Sequence, residues 1–121
     1  MSFADTVKSQ LGSMSRNDAD GCDFGVVKVD NDGKILIYNR YEAELAGIPY
    51  TAAEGRNFFT EIAPCTNNKL FFGRFKDGVA KGQLDESFNY TFTYKLRPTN
   101  VAIQLVHDKA SRTNWVFVKR K

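Results

Sequence analysis

Five large apolar side chains, Phe88, Tyr90, Phe92, Tyr94 and Leu96, alternate with Asn89, Thr91, Thr93 and Lys95. A strict period of two with one apolar side predicts a half-buried strand over 88–96. Val101, Ile103 and Leu105 predict the next strand, ending near His107, and 115–119 predicts a last one after the turn residues Ser111, Arg112, Thr113 and Asn114. Earlier in the chain, 24–29 and 34–38 flank Asp30-Asn31-Asp32-Gly33, a turn cluster, so 24–38 reads as a hairpin.

Helical spacing occupies the middle. Asn39 is placed to cap a short helix through Ala46, which Gly47 ends. Segment 50–68 mixes short helical pieces with loops. Phe71, Phe75 and Val79 fall on one face of a helix over 69–81, with Gly82 as its stop. At the N-terminus Phe3, Val7 and Leu11 recur every four residues, a short helix that fades into the polar run 13–18.

The order is two strands, helices, then three strands, which gives an α+β domain: a five-stranded antiparallel sheet with helices on one face. Such a sheet has one covered and one wet face, and a pocket would lie between the sheet and 39–81. The 121 residues fit one domain, read as an N-terminal cap over 1–23 and a core over 24–121.

Composition narrows the function classes. Charged residues at 26% and apolar ones at 42% are those of a globular protein, so disorder and fibrous classes drop out. No apolar run is long enough to span a membrane, and the first residues lack a secretory signal, so a cytoplasmic protein is expected. There are two cysteines and one histidine, too few for a disulfide scaffold or a Cys/His zinc site. A net charge of +3, partly from 119–121, reads as a solvated tail and gives no nucleic-acid patch. The unusual feature is aromatic content, with ten Phe, five Tyr and one Trp, which favours a flat-walled cavity.

Three residues stand out chemically. Cys65 follows Pro64 in a loop near Phe58-Phe59, and a thiolate there can hold a covalent group as a thioester. The plainer reading is a buried small hydrophobe. Tyr38 and Glu42, spaced i, i+4 at a helix start, can aim a phenol and a carboxyl at one acceptor. A desolvated carboxyl there holds its proton more tightly and can donate it. The plainer reading is an exposed Glu beside a half-buried Tyr. His107 and Cys22 have no sequence partners that suggest a role. No phosphate loop, nucleophile elbow or carboxylate pair is present, so a turnover enzyme is not indicated.

These residues carry a resemblance. The run 35–42, Gly47, the block 55–66 with Asn57-Phe58-Phe59 and Ala63-Pro64-Cys65, the strand 88–94 and the ending 115–120 resemble the photoactive yellow protein family over about 24–120. The resemblance implies a PAS fold and a blue-light receptor carrying para-coumaric acid as a thioester. Cys65 matches the attachment cysteine, Tyr38 and Glu42 the phenolate's hydrogen-bond donors, and Phe58, Ile62, Ala63 and Phe92 pocket positions, with Tyr94 nearby on the sheet. It further implies proton transfer from Glu42 after photoisomerisation and loosening of the cap. Three positions depart from the family pattern: Ala46 stands for a threonine, Ile48 for a gating arginine and Leu96 for a methionine tied to thermal return. Slow dark recovery is therefore expected. Arg40 and Tyr41 replace small residues, with no assigned role. The output partner is a separate, unidentified signalling protein, and a monomer or weak dimer is expected. The competing reading is a light-independent PAS module for ligand or protein binding.

Overall fold

The computed structural model describes residues 4–93 and 98–121. Five antiparallel strands form one sheet in the order β2-β1-β5-β4-β3. They are β1 (Gly25–Val29), β2 (Ile35–Tyr38), β3 (Asp85–Phe92), β4 (Thr99–Asp108) and β5 (Thr113–Arg120). The register pairs Val27 with Val116, Leu105 with Val116, and Phe88 with Ile103. The hairpin turns where expected. Asp30 Oδ1 accepts the N–H groups of Asp32 and Lys34, each at 2.9 Å, and Gly33 takes a φ of 95°. A Cβ at Gly33 would also lie 2.9 Å from the Phe59 ring, so space and conformation both select glycine.

Strand β3 starts at Asp85, three residues before its apolar alternation, because pairing with β4 runs on to Val106. Tyr94 and Leu96 lie outside the described residues. The helices are α1 (Arg16–Asp20), α2 (Arg40–Ala46), α3 (Tyr50–Ala53) and α4 (Arg74–Lys81). The helix expected over 69–81 begins as a wider π turn, Lys69–Gly73, in which the Gly73 N–H reaches back to the Asn68 carbonyl at 3.0 Å.

Helices α2 to α4 and the loops between them cover one sheet face. The core there contains Val27, Val29, Phe58, Phe59, Phe71, Phe75, Val101, Ile103 and Val116. The other face is not wet as expected. Ala4, Leu11, Met14 and Ala19 bury Val26, Val106, Trp115 and Phe117 beneath them. Strand β5 is consequently buried from Thr113 to Val118, with odd and even positions going to opposite cores. Full burial of such side chains contributes about 1.5–3 kcal/mol each, so the second core is a substantial part of the fold.

The N-terminal segment also differs from a simple fading helix. Asp5–Ser13 is a 3₁₀ helix, and the polar run after it starts α1. Ser15 and Asp18 form a reciprocal capping box, Asp18 N–H to Ser15 Oγ at 3.2 Å and Ser15 N–H to Asp18 Oδ2 at 3.1 Å. No helix among the described residues is long and apolar enough to cross a membrane.

Candidate functional site

The site is built around the junction of β2 and α2. Tyr38 is the last residue of β2, Asn39 caps α2, and Glu42 sits in its first turn. The i, i+4 helical-face argument therefore fails for this pair, since Tyr38 is not helical. Both side chains are nonetheless inside: Tyr38 and Glu42 each have 0% of their surface exposed. The plainer reading of an exposed glutamate is excluded.

Asn39 fixes this junction. Its Oδ1 accepts the N–H of Glu42 at 3.1 Å and of Val26 at 2.9 Å. Its Nδ2 donates to the carbonyls of Ala19 at 2.7 Å and Phe24 at 3.0 Å. One buried amide thus joins α2, β1 and the end of α1. Glu42 lies over β1 where the strand has no side chain: a Cβ at Gly25 would meet Glu42 Oε1 at 2.5 Å.

The second half of the site is the loop after a π turn, Phe58–Ile62, whose N-terminus is capped by Asn57. Pro64–Thr66 is one 3₁₀ turn, held by Thr66 Oγ1 donating to the Ala63 carbonyl at 2.6 Å. Cys65 is a half-buried free cysteine on it. Its carbonyl accepts from Tyr90 Oη at 2.5 Å and from Asn68 Nδ2 at 3.1 Å. The sequence places Tyr90 only on the apolar side of its strand and gives Asn68 no role. No spacing rule links either to a loop at 65.

Tyr38, Ala46, Phe58, Ala63 and Phe92 belong to one buried cluster, and Ile48, Ile62 and Cys65 pack against it half-buried. Phe71 ties its rings together, lying 6.3 Å from Phe58, 5.1 Å from Tyr90 and 6.0 Å from Phe92 between centroids. Ile48 and Ile62 also line an open groove of about 930 Å³ with Glu54, Arg56 and Glu61. Tyr94 and Leu96 fall outside the described residues, so their place at this site is not described.

The unassigned residues find structural roles. Arg40 N–H donates to Asp20 Oδ1 at 2.8 Å, and Tyr41 Oη accepts the Arg120 N–H at 3.0 Å. His107 Nδ1 and Asn114 Oδ1 are 2.6 Å apart. Cys22 Sγ donates to the Asp18 carbonyl at 3.7 Å. Among the described residues, no group of His, Cys, Asp or Glu is placed to hold a metal ion.

Tyr38 is thus buried in the cluster against which Cys65 packs, and Glu42 is buried at the same β2–α2 junction. No protein-family model matches the chain. It is 38% identical over 117 residues to photoactive yellow protein of Halochromatium salexigens, covering 97% of this chain and 94% of that one. It is 39% identical over 116 residues to the Rhodothalassium salexigens protein of the same name, covering 96% and 93%. Among solved structures, the photoactive yellow protein domain of the sensor histidine kinase Ppr from Rhodospirillum centenum matches with a TM-score of 0.86 and 39% identity, over 92% of this chain and 97% of that one. The PAS domain of an HTR-like protein from Haloarcula marismortui, at 13% identity, TM-score 0.65 and coverage of 96% and 98%, shows the shared fold alone. At that identity and coverage, on this five-stranded frame, the chain belongs to the photoactive yellow protein family of PAS-fold blue-light photoreceptors.

Proposed function

We propose that the chain carries para-coumaric acid (4-hydroxycinnamic acid) as a thioester on Cys65 and reports blue light through proton transfer from Glu42. The observation that supports this most is the complete burial of Tyr38 in the core against which Cys65 packs, with Glu42 equally buried at the same β2–α2 junction. When bound, the group supplies an absorbing phenolate and a double bond that light can rotate.

The chain's own residues do the rest. A phenolate in a dry core is costly unless donors satisfy it. Tyr38 and protonated Glu42 donate two charge-assisted hydrogen bonds to it. Phe58, Ile62, Ala63 and Phe92 exclude water. Ala46 leaves out a hydroxyl beside Tyr38, and Ile48 leaves out a guanidinium, so neutralisation falls on Glu42.

After light, Glu42 passes its proton to the phenolate oxygen and is left as a buried carboxylate. An uncompensated buried charge costs on the order of 3–5 kcal/mol, a large part of the stability of a small domain. The outlet is the N-terminal cap, whose Ala19 carbonyl is bound to the same Asn39 that caps the Glu42 helix. Release of the cap exposes a surface for a separate signalling partner, and dark recovery is slow.

The test is to mix the purified chain with an activated para-coumaric ester and record intact mass and visible spectrum. One coumaroyl unit and a blue-absorbing band, both lost in Cys65→Ala, support the proposal. No adduct on folded protein overturns it and favours a light-independent PAS binding module. Glu42→Gln must then alter the dark band and the photocycle, or the proton role fails.

A further inference from the structure

We infer that Glu54 and Arg16 are positioning residues that bind the phenol end of the pocket directly to the N-terminal cap. Strand β2 is an edge strand, and the loop after α3 covers its open side. Ile35 N–H donates to the Arg56 carbonyl at 2.8 Å, Gly55 N–H to the Ile35 carbonyl at 2.9 Å, and Phe58 N–H to the Gly33 carbonyl at 2.9 Å. At Tyr38 the main-chain partner is replaced by a side chain: the Tyr38 N–H donates to Glu54 Oε2 at 3.0 Å. The other oxygen of that carboxylate, Oε1, pairs with Nη2 of Arg16, the first residue of α1. The Arg16 guanidinium also lies 4.2 Å from the centroid of the Tyr50 ring on α3.

One carboxylate therefore has both oxygens committed, one to the strand end that presents the Tyr38 phenol and the other to the cap. The carboxylate is a good acceptor for the Tyr38 N–H while its orientation is fixed, and Arg16 fixes it. The pair is partly exposed, with 33% of the Arg16 side chain and 19% of the Glu54 side chain accessible. A pair of that kind adds little to global stability and responds to salt. Its effect is local: detaching α1 loosens the hold on Tyr38, and by linkage a shift of Tyr38 loosens α1. This contact is independent of the Asn39 bridge, since it reaches the cap at the start of α1 and not its end. The inference rests on the light-receptor reading for its consequence, but its geometry does not need the bound group.

Amide hydrogen exchange at Tyr38 in the chromophore-free full chain tests it. Arg16→Gln should speed exchange at Tyr38 roughly fivefold, at the low end of the usual coupling between linked sites. Arg16→Lys should restore part of the protection. Salt at about 1 M, where screening extends over only some 3 Å, should mimic Arg16→Gln in the wild type and leave Arg16→Gln itself unchanged. Glu54→Gln combined with Arg16→Gln should be no faster than Glu54→Gln alone. In the loaded protein, Arg16→Gln should also change the recovery time several-fold. Faster exchange confined to the cap, with Tyr38 unchanged in Arg16→Gln and in salt, overturns the inference. Faster exchange at Tyr38 in Arg16→Gln and in salt, together with no adduct on Cys65, would leave the inference standing and remove the photoreceptor proposal, so the two failures are distinguishable.

Discussion

The Tyr90 hydroxyl donates to the Cys65 carbonyl from the middle of the β3 strand, at 2.5 Å, while Asn68 Nδ2 donates to both of those oxygens, at 3.1 Å to the carbonyl and 2.7 Å to Tyr90. The sheet thus grips the loop by its backbone and leaves the thiol to its chemistry. Tyr90→Phe should cost about 1 kcal/mol in urea unfolding and speed amide exchange across 64–68. Because Asn68 serves the same carbonyl, the double variant with Asn68→Ala should be less than additive.

Gly25 is the point at which β1 and the buried carboxyl share space. In Gly25→Ala the new methyl meets Glu42 Oε1 at 2.5 Å and Val118 Cβ at 3.1 Å, so the carboxyl or the strand must move. The expected loss is about 1–3 kcal/mol, typical of overpacking. On the proposed chemistry, a displaced Glu42 should donate more weakly to the phenolate, and the dark band should move to longer wavelength. Unfolding and absorption spectra read the two effects separately.

Glu61 gives the loop before Cys65 a pH dependence. It accepts the Asn57 N–H at 3.0 Å and, second in weight, Arg56 Nη1 at 3.2 Å, and these hold its carboxyl below the ordinary 4.5. A depressed carboxyl contributes stability that is full above its unfolded value and is lost as pH falls through its folded value. Glu61→Gln should therefore lower the unfolding midpoint near neutrality. Its difference from wild type should close as the pH is taken well below 4.5. The Asn57 amide resonance should titrate in the wild type and stay flat in the variant.

Cys22 is the second thiol, and burial first, then Asp23 and Asp18, push it above its ordinary 9.0. It stays a thiol near neutral pH, and thiols acylate poorly. In Cys65→Ala, an activated ester should leave Cys22 unmodified at neutrality and label it only in alkali. Peptide mapping by mass reads the outcome.

Sequence alone reached some of this and not the rest, for physical reasons. Asn39 was legible as a cap because the bond from its side chain to Glu42 is local. Its bonds to Ala19 and Phe24 were not, since nothing in spacing tells which carbonyls the fold delivers to the other side of an amide. Asn39→Ala removes four hydrogen bonds at once and should cost about 2–4 kcal/mol, from the lost cap and the lost buried bonds to Val26, Ala19 and Phe24, measured by urea unfolding. Phe88, Tyr90 and Phe92 showed their strand through alternation, while α1 has too few apolar residues for any period to show. The burial of Glu42 came from resemblance; local pattern favoured exposure. The second core was missed because Trp115 and Phe117 alternate with Val116 and Val118, and a fully apolar run does not say how many faces are covered.

The central position of β5 sets when this protein can fold. Without Thr113–Arg120 the sheet order breaks into a β2-β1 pair and a β4-β3 pair that touch nowhere along an edge. Two-stranded pieces of that size are marginal in water. A ribosome making the chain therefore holds two unjoined hairpins, and no formed binding site, until residues past 113 have cleared its exit tunnel. Loading of any pocket group must then follow synthesis of β5, and premature termination in β5 should yield aggregating protein rather than a weakened receptor.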